Sequence, residues 1–318
     1  MVNLIKEIFS KTVFFNIYPH PYLRKDYYFK WNEDKPSPSV IFMMDSRYTM
    51  MGFADCLRGM ISSYAFAKAK GMPFKIDFKV PFHLDEYLIP NDYDWEVDES
   101  EISYNYKYSS PIWVMDRDRG RIFKFPFPRA RQYHLYTNVN IIGLVNKKFR
   151  KNYDYTVLYK ELFRPSEALQ KRIDEISQDL GNSYISVSFR FSTLLGDFED
   201  CINSPLPEKK QKEYIKRCKK KLEEIHLANN STKVFVTSDS SKFIDSLKDL
   251  PWVHFIQGKR GQFKDDGETD VHMLTFLDFF IISGAKKVFM AHTGKMYRSN
   301  FAKSAALTTG TAYEELSF

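Results

Sequence analysis

Several short stretches of this sequence place together residue types that can hold an anionic substrate. Arg190 follows the apolar run Tyr184–Phe189 and leads into Phe191-Ser-Thr-Leu-Leu-Gly and Asp197. Ser238-Asp239-Ser240-Ser241 follows a second such run at 233–237, and His292-Thr293-Gly294-Lys295 a third at 287–291, with Arg298-Ser299-Asn300-Phe301 just beyond. Gly52-Phe53-Ala54-Asp55, with Arg58 one turn on, comes after Ser39–Met44 and the turn Asp45-Ser-Arg47. An arginine fork suits bidentate contact with a phosphate. Glycine and small hydroxyls at a helix start offer backbone amides and a positive dipole end to the same group. A carboxylate such as Asp239 can accept from the N1 and exocyclic amine of guanine, which adenine does not supply. Together these features suit a nucleoside diphosphate. Each also has a plainer reading: Arg190 as a surface ion pair, Asp239 as a helix N-cap, residues 293–299 as a turn and cap, residues 52–58 as a strand-to-helix turn. Their shared position in the pattern of elements is what makes the set informative.

That pattern alternates between strand and helix periods. Ser39–Met44 is a continuous apolar run, as a strand buried on both faces requires. Leu57, Met60, Ile61, Tyr64, Ala65 and Lys68 recur at three and four, which predicts a helix over 53–70 stopped by Gly71, then a strand at Phe74–Phe78. Residues 79–135 are irregular, with strand-like pieces at 112–115 and 121–125. From 140 to 179 the pattern is helical, broken at Pro165, and the domain boundary is placed there, giving 1–165 and 166–318. The second half predicts strands at 184–189, 233–237, 253–257 and 287–291, with helices at 207–227, 241–249, 270–283 and 297–307. The fold class is α/β, with two Rossmann-like doubly wound domains facing a crevice. Ligands in such sheets bind beyond the carboxyl ends of the strands, where all the stretches above fall. The glycine motifs of P-loop and dinucleotide-binding proteins are absent, which speaks against kinases and dinucleotide oxidoreductases.

With these residues in hand, the chain resembles the fucosyltransferase superfamily of two-domain (GT-B) glycosyltransferases, which includes nodulation, core α-1,6-, protein O- and bacterial α-1,2-fucosyltransferases. Gly52-Phe-Ala-Asp55 resembles the family's Gly-Phe-Gly-Asn/Asp turn before a long helix. Ser186-Val-Ser-Phe-Arg190 resembles its strand ending in His-x-Arg-Arg, with Arg190 at the first Arg. Val236-Thr-Ser-Asp239 resembles the strand whose Asp reads guanine, and Ser299-Asn-Phe301 the closing Ser-x-Phe helix start. The resemblance covers about 38–78 and 180–310. Ser188 stands where the family has His, and Phe191 where many members have a second Arg, so Arg190 would act alone or with Lys295 or Arg298.

The resemblance implies metal-independent, inverting transfer from a GDP-sugar, GDP-fucose above all, to a glycan hydroxyl in surface polysaccharide or glycoconjugate synthesis, with no cofactor. Arg190 and the helix after Gly294 would stabilise the departing diphosphate. Asp55 and Asp197 are the candidate bases for the acceptor proton. Gly52, Phe53, Ser238, Asp239, His292, Thr293, Gly294, Arg298, Ser299, Asn300 and Phe301 would line the donor site. A metal-dependent alternative would use Asp116-Arg-Asp118 or Asp92-Tyr-Asp94.

The net charge of +7 is contained in one segment. Lys209, Lys210, Lys212, Lys216, Arg217, Lys219, Lys220 and Lys221 face one acid, Glu213, and the rest of the chain holds 39 residues of each sign. Such confinement argues against a nucleic-acid footprint, which would spread further. Ile215, Cys218, Leu222 and Ile225 form an apolar stripe, so the lysines should occupy the outer face of a helix. That face would also allow weak attachment to anionic lipid on the inner side of a membrane, or a non-catalytic glycan- or polyanion-binding role. Three cysteines, Cys56, Cys201 and Cys218, without CxxC spacing, argue against zinc and disulfide scaffolds. The N-terminal apolar stretch lacks a signal-peptide core, and no window is long enough to span a bilayer. The expected compartment is the cytoplasm.

Overall fold

The structure, a computed structural model, describes residues 26–44, 51–78, 80–115, 130–181, 183–198, 204–230, 232–261 and 269–318. The N-terminal stretch, the Asp45-Ser-Arg47 turn, the Asp116–Asp118 pair, the strand expected at 121–125 and Cys201 lie outside these residues. The chain divides into two compact units, Met1–Arg164 and Pro165–Phe318.

The first unit contains, in order, β1 (Ser39–Met44), α1 (Phe53–Lys70), β2 (Phe74–Phe78), β3 (Leu88–Pro90), β4 (Ser109–Val114), β5 (Gln132–Thr137), α2 (Ile142–Phe149), α3 (Tyr155–Leu162) and β6 (Phe163–Pro165). Its main sheet has the order β2-β1-β5-β4 with all neighbours parallel, and β3 pairs with β6. β1 is buried along its whole length, as its apolar run requires. β4 carries Pro111 and sits at the sheet edge, where a missing N–H breaks no second ladder. Sequence periodicity gave no strand at β5, because Gln132, His134 and Thr137 interrupt any apolar run. All six of its residues are nevertheless buried. The polar ones are satisfied internally: Gln132 donates to the Glu101 carbonyl at 2.7 Å, and His134 Nδ1 meets the Tyr27 hydroxyl at 2.6 Å. α1 ends on Gly71 at φ 65°, a left-handed cap that glycine takes without penalty. Gly59 lies in the same helix where it crosses β5, and a Cβ there would overlap the Thr137 carbonyl.

The second unit contains α4 (Glu167–Leu180), β7 (Tyr184–Phe189), α5 (Glu208–Ala228), β8 (Lys233–Ser238), α6 (Ser241–Asp245), β9 (Val253–His254), α7 (Thr269–Ser283), β10 (Lys287–His292), α8 (Phe301–Thr309) and β11 (Ala312–Ser317). Its sheet is parallel throughout, in the order β11-β10-β7-β8-β9. The chain moves outward from β7 through β8 and β9, then restarts on the other side with β10 and β11. The order therefore reverses between β7 and β10, and their carboxyl ends flank the position where such sheets bind ligands.

Several boundaries differ from the sequence reading. α6 ends at Asp245 instead of 249, and β9 is two residues long instead of five. α8 starts at Phe301, four residues later than expected, because residues 293–300 form the loop that closes on β7. β11 was missed: its Glu314 and Glu315 suit an exposed edge strand and leave no apolar alternation to read. α5 buries Cys218, Leu222 and Ile225 as its stripe predicted, and adds Gln211 and His226. The His226 ring stacks on Trp252 at 4.0 Å.

Candidate functional site

The carboxyl edge of the second sheet gathers several of the residues chosen from sequence. Arg190 leaves β7 with its side chain 27% exposed, and its Nε lies 3.2 Å from Asp239 Oδ2. Asp239, at the end of β8, is almost fully buried. Its Oδ1 accepts the Phe191 amide at 2.8 Å and its Oδ2 the Ser192 amide at 2.6 Å. Burial pushes this carboxyl up, against the opposing pull of the Arg190 guanidinium. Ser192 has φ 55°, and the carboxylate pins this left-handed turn. Asp239 is thus spent on the chain itself: it fixes the turn after β7 and holds Arg190. Its capacity as a base-reading acceptor is correspondingly reduced. The N-cap role expected of it falls to Ser240, whose hydroxyl accepts the Phe243 amide at 3.1 Å. Ser238 Oγ accepts the Ser240 amide at 3.1 Å and so belongs to the same turn.

Asp197 reaches the same helix start. Its Oδ2 accepts the Ser240 hydroxyl and the Lys242 amide, both at 2.8 Å. That is a helix-terminus anchor, a structural role where sequence suggested a base.

The β10 side is organised differently from expectation. His292 Nε2 lies 3.0 Å from Glu315 Oε1, and Arg298 Nε bonds the same oxygen. Both basic groups therefore serve β11. The Thr293 hydroxyl donates to the Phe318 carbonyl and also accepts Arg217 Nη2 at 2.6 Å. Gly294 has φ 57°, and a Cβ there would collide with the Tyr214 hydroxyl, which accepts the Lys295 amide at 3.2 Å. The Tyr297 amide donates to the Arg190 carbonyl at 3.0 Å and ties this loop to the end of β7. Asn300 precedes α8 without a side-chain cap, and Ser299 Oγ accepts the Phe301 amide at 3.2 Å. The Phe301 ring packs on Phe279 at 5.6 Å, a core contact. The structure thus brings together Arg190, Ser238, Asp239 and the 293–297 loop, and turns His292 and Arg298 toward Glu315.

In the first unit, Gly52 caps α1 by accepting the Asp55 and Cys56 amides at 2.9 and 3.1 Å. Phe53 is buried, and Asp55 pairs with Arg58. Asp94 of the Asp92–Asp94 pair accepts the Glu96 amide at 3.0 Å and faces Lys75 at 3.9 Å, the contacts of an exposed turn. Among the described residues no group of three His, Cys, Asp or Glu side chains could hold a metal ion. None of the described helices is long and apolar enough to cross a membrane.

Sequence reading missed two side chains at this edge and one buried ion pair. Phe198 lies with its ring 4.3 Å from the Arg190 guanidinium carbon. Arg217, grouped with the solvated lysines, is committed to Thr293 and Phe318. Arg260 and Asp278 form a buried ion pair at 2.9 Å, leaving Asp278 Oδ1 without a hydrogen bond. Burial pushes the Asp278 carboxyl up in spite of Arg260. The readable signal for that pair is an acid inside the apolar helix segment Phe276-Leu-Asp278-Phe-Phe280.

No protein-family model and no curated protein matches the chain. Solved structures do. The fucosyltransferase NodZ from Bradyrhizobium shares 14% identity at a TM-score of 0.56, over 86% of this chain and 93% of that one. The fold is that of the fucosyltransferases. NodZ α-1,6-fucosyltransferase soaked with GDP-fucose matches equally, at 14% identity and TM-score 0.56, over 86% and 92% of the two chains. A variant of Arabidopsis thaliana FUT1 in complex with GDP matches at 11% identity and TM-score 0.57, over 99% of this chain and 78% of that one.

Proposed function

We propose that the protein is a glycosyltransferase that binds GDP-fucose at the carboxyl edge of its second sheet and transfers the sugar to a glycan hydroxyl, with inversion and without a metal. The observation that carries this reading is Arg190, braced by buried Asp239 at the point where strand order reverses. The GDP and GDP-fucose complexes of proteins with this fold support the choice of nucleotide. Breaking the anomeric bond leaves charge on the diphosphate, and a preorganised guanidinium stabilises it at the moment it develops. The 293–297 loop is tied to the end of β7 through the Tyr297 amide and keeps the backbone beside Arg190 in place. The acceptor oxygen attacks from the opposite face of the sugar, and its proton leaves to water or to a base. Asp197 takes no part in that step, being engaged at the start of α6. The product would enter surface polysaccharide or a glycoconjugate, and the free, buried Cys56 and Cys218 suit a reducing cytoplasm.

Arg190→Ala should abolish transfer and GDP binding while leaving the melting temperature within a few degrees of wild type. Full activity in that variant overturns the site. A thermal-shift panel of GDP, UDP, CMP and ADP should show stabilisation by GDP alone.

A second, additive reading concerns α5. Lys209, Lys210, Lys216 and Lys220 are exposed on it with no acid partner within ion-pair distance among the described residues. We propose that they provide weak electrostatic attraction to an anionic lipid surface.

A further inference from the structure

Two of the contacts made by Arg190 bear on its guanidinium group. Asp239 takes its Nε, and the Phe198 ring covers its guanidinium carbon at 4.3 Å, well inside cation–π range. Phe198 is 7% exposed, so this contact is largely desolvated. It lies just beyond the 3-10 turn Ser192–Leu195, whose first amide Asp239 also holds. Phe191, by contrast, packs on Phe243 at 4.9 Å and belongs to the core.

We propose that Phe198 is a positioning residue for the donor diphosphate, holding Arg190 through its π face. The proposal rests on the reading of Arg190 as the diphosphate ligand. The electrostatic reason for a ring at this place is specific. Asp239 supplies a carboxylate on the Nε side of the guanidinium. An aromatic face attracts the cation without adding a formal negative charge. It also restricts the plane of the guanidinium, while Asp239 fixes its inner end. Arginine then meets its ligand with little left to order, which is where preorganised sites gain affinity.

The test compares GDP affinity by calorimetry in wild type, Phe198→Leu, Phe198→Tyr and Arg190→Ala. Phe198→Leu keeps an apolar side chain and loses the π face, and should weaken GDP binding by about 3- to 10-fold. Phe198→Tyr should restore it. Replacing Phe198 with phenylalanines carrying one, two or three ring fluorines keeps shape while draining the π face, so affinity should fall stepwise at constant melting temperature. That series decides the matter if the leucine variant fails to fold. Wild-type affinity across the fluorine series, with binding lost in Arg190→Ala, overturns the role of Phe198 alone. Wild-type affinity in Arg190→Ala overturns the reading beneath it as well.

Discussion

Arg190 shows how far single residues can be read. Its position after an apolar run marked it as a strand-end cation, and the structure puts it there. Its support was not legible. Asp239 lies 48 and 47 positions from the amides it accepts, and nothing local in Val-Thr-Ser-Asp separates a base-reading carboxylate from one that pins a distant turn. The basic residues near 292–298 misled for the same reason: Glu315, in an unforeseen edge strand, claims His292 and Arg298. A substitution separates these roles. Asp239→Asn keeps the shape and removes the charge facing Arg190, so it should cost about 1–3 kcal/mol of stability and weaken GDP binding without switching nucleotide preference. Denaturant titration and calorimetry with GDP and ADP read both effects; gained affinity for ADP would return Asp239 to base recognition.

Elements were read well wherever burial followed the apolar pattern. β1, α1, β2 and β7 match their predicted spans because each carries at least one apolar strand face or an apolar helical stripe. β5 was illegible because its burial rests on hydrogen bonds. His134 is fully buried there, and burial lowers its pKa to about 3. An unfolded histidine titrates near 6.5, so the folded state resists a proton that the unfolded state accepts. The stabilisation from neutral His134 is complete above about pH 6.5 and is lost as pH falls toward 3, at up to about 1.4 kcal/mol per pH unit. Denaturation followed from pH 7 to 4 should show this slope in wild type and a shallower one in His134→Gln. An unchanged slope would mean that other groups set the acid sensitivity. α1 offers a steric counterpart. Gly59 touches β5 so closely that Gly59→Ala must push the helix away from the Thr137 carbonyl, at a cost of about 1–3 kcal/mol or more. A melting temperature equal to wild type would show that the two elements separate easily.

At the scale of the molecule, the basic excess reduces to a few lysines on one helix. Four of the eight charges are tied down: Lys212 to Glu208, Arg217 to Thr293, Lys219 to the Ser246 carbonyl and Lys221 to Glu224. Lys209, Lys210, Lys216 and Lys220 remain, and their placement opposes helix stability. Lys209 and Lys210 stand in the first turn, against the positive end of the dipole, and Lys216 and Lys220 repel at i,i+4. A helix shaped for stability alone would favour acids in its first turn and unlike charges at 216 and 220. The double variant Lys209→Glu/Lys216→Glu should therefore raise the melting temperature by about 2–4 °C and leave GDP affinity unchanged, since neither residue approaches Arg190 in the contacts described. It should also abolish sedimentation with anionic vesicles, which wild type should show at low salt and lose near about 0.5 M salt as charges are screened. Wild-type protein that ignores anionic vesicles at low salt would leave the ridge a solvated face, with repulsion within the helix as its sole consequence.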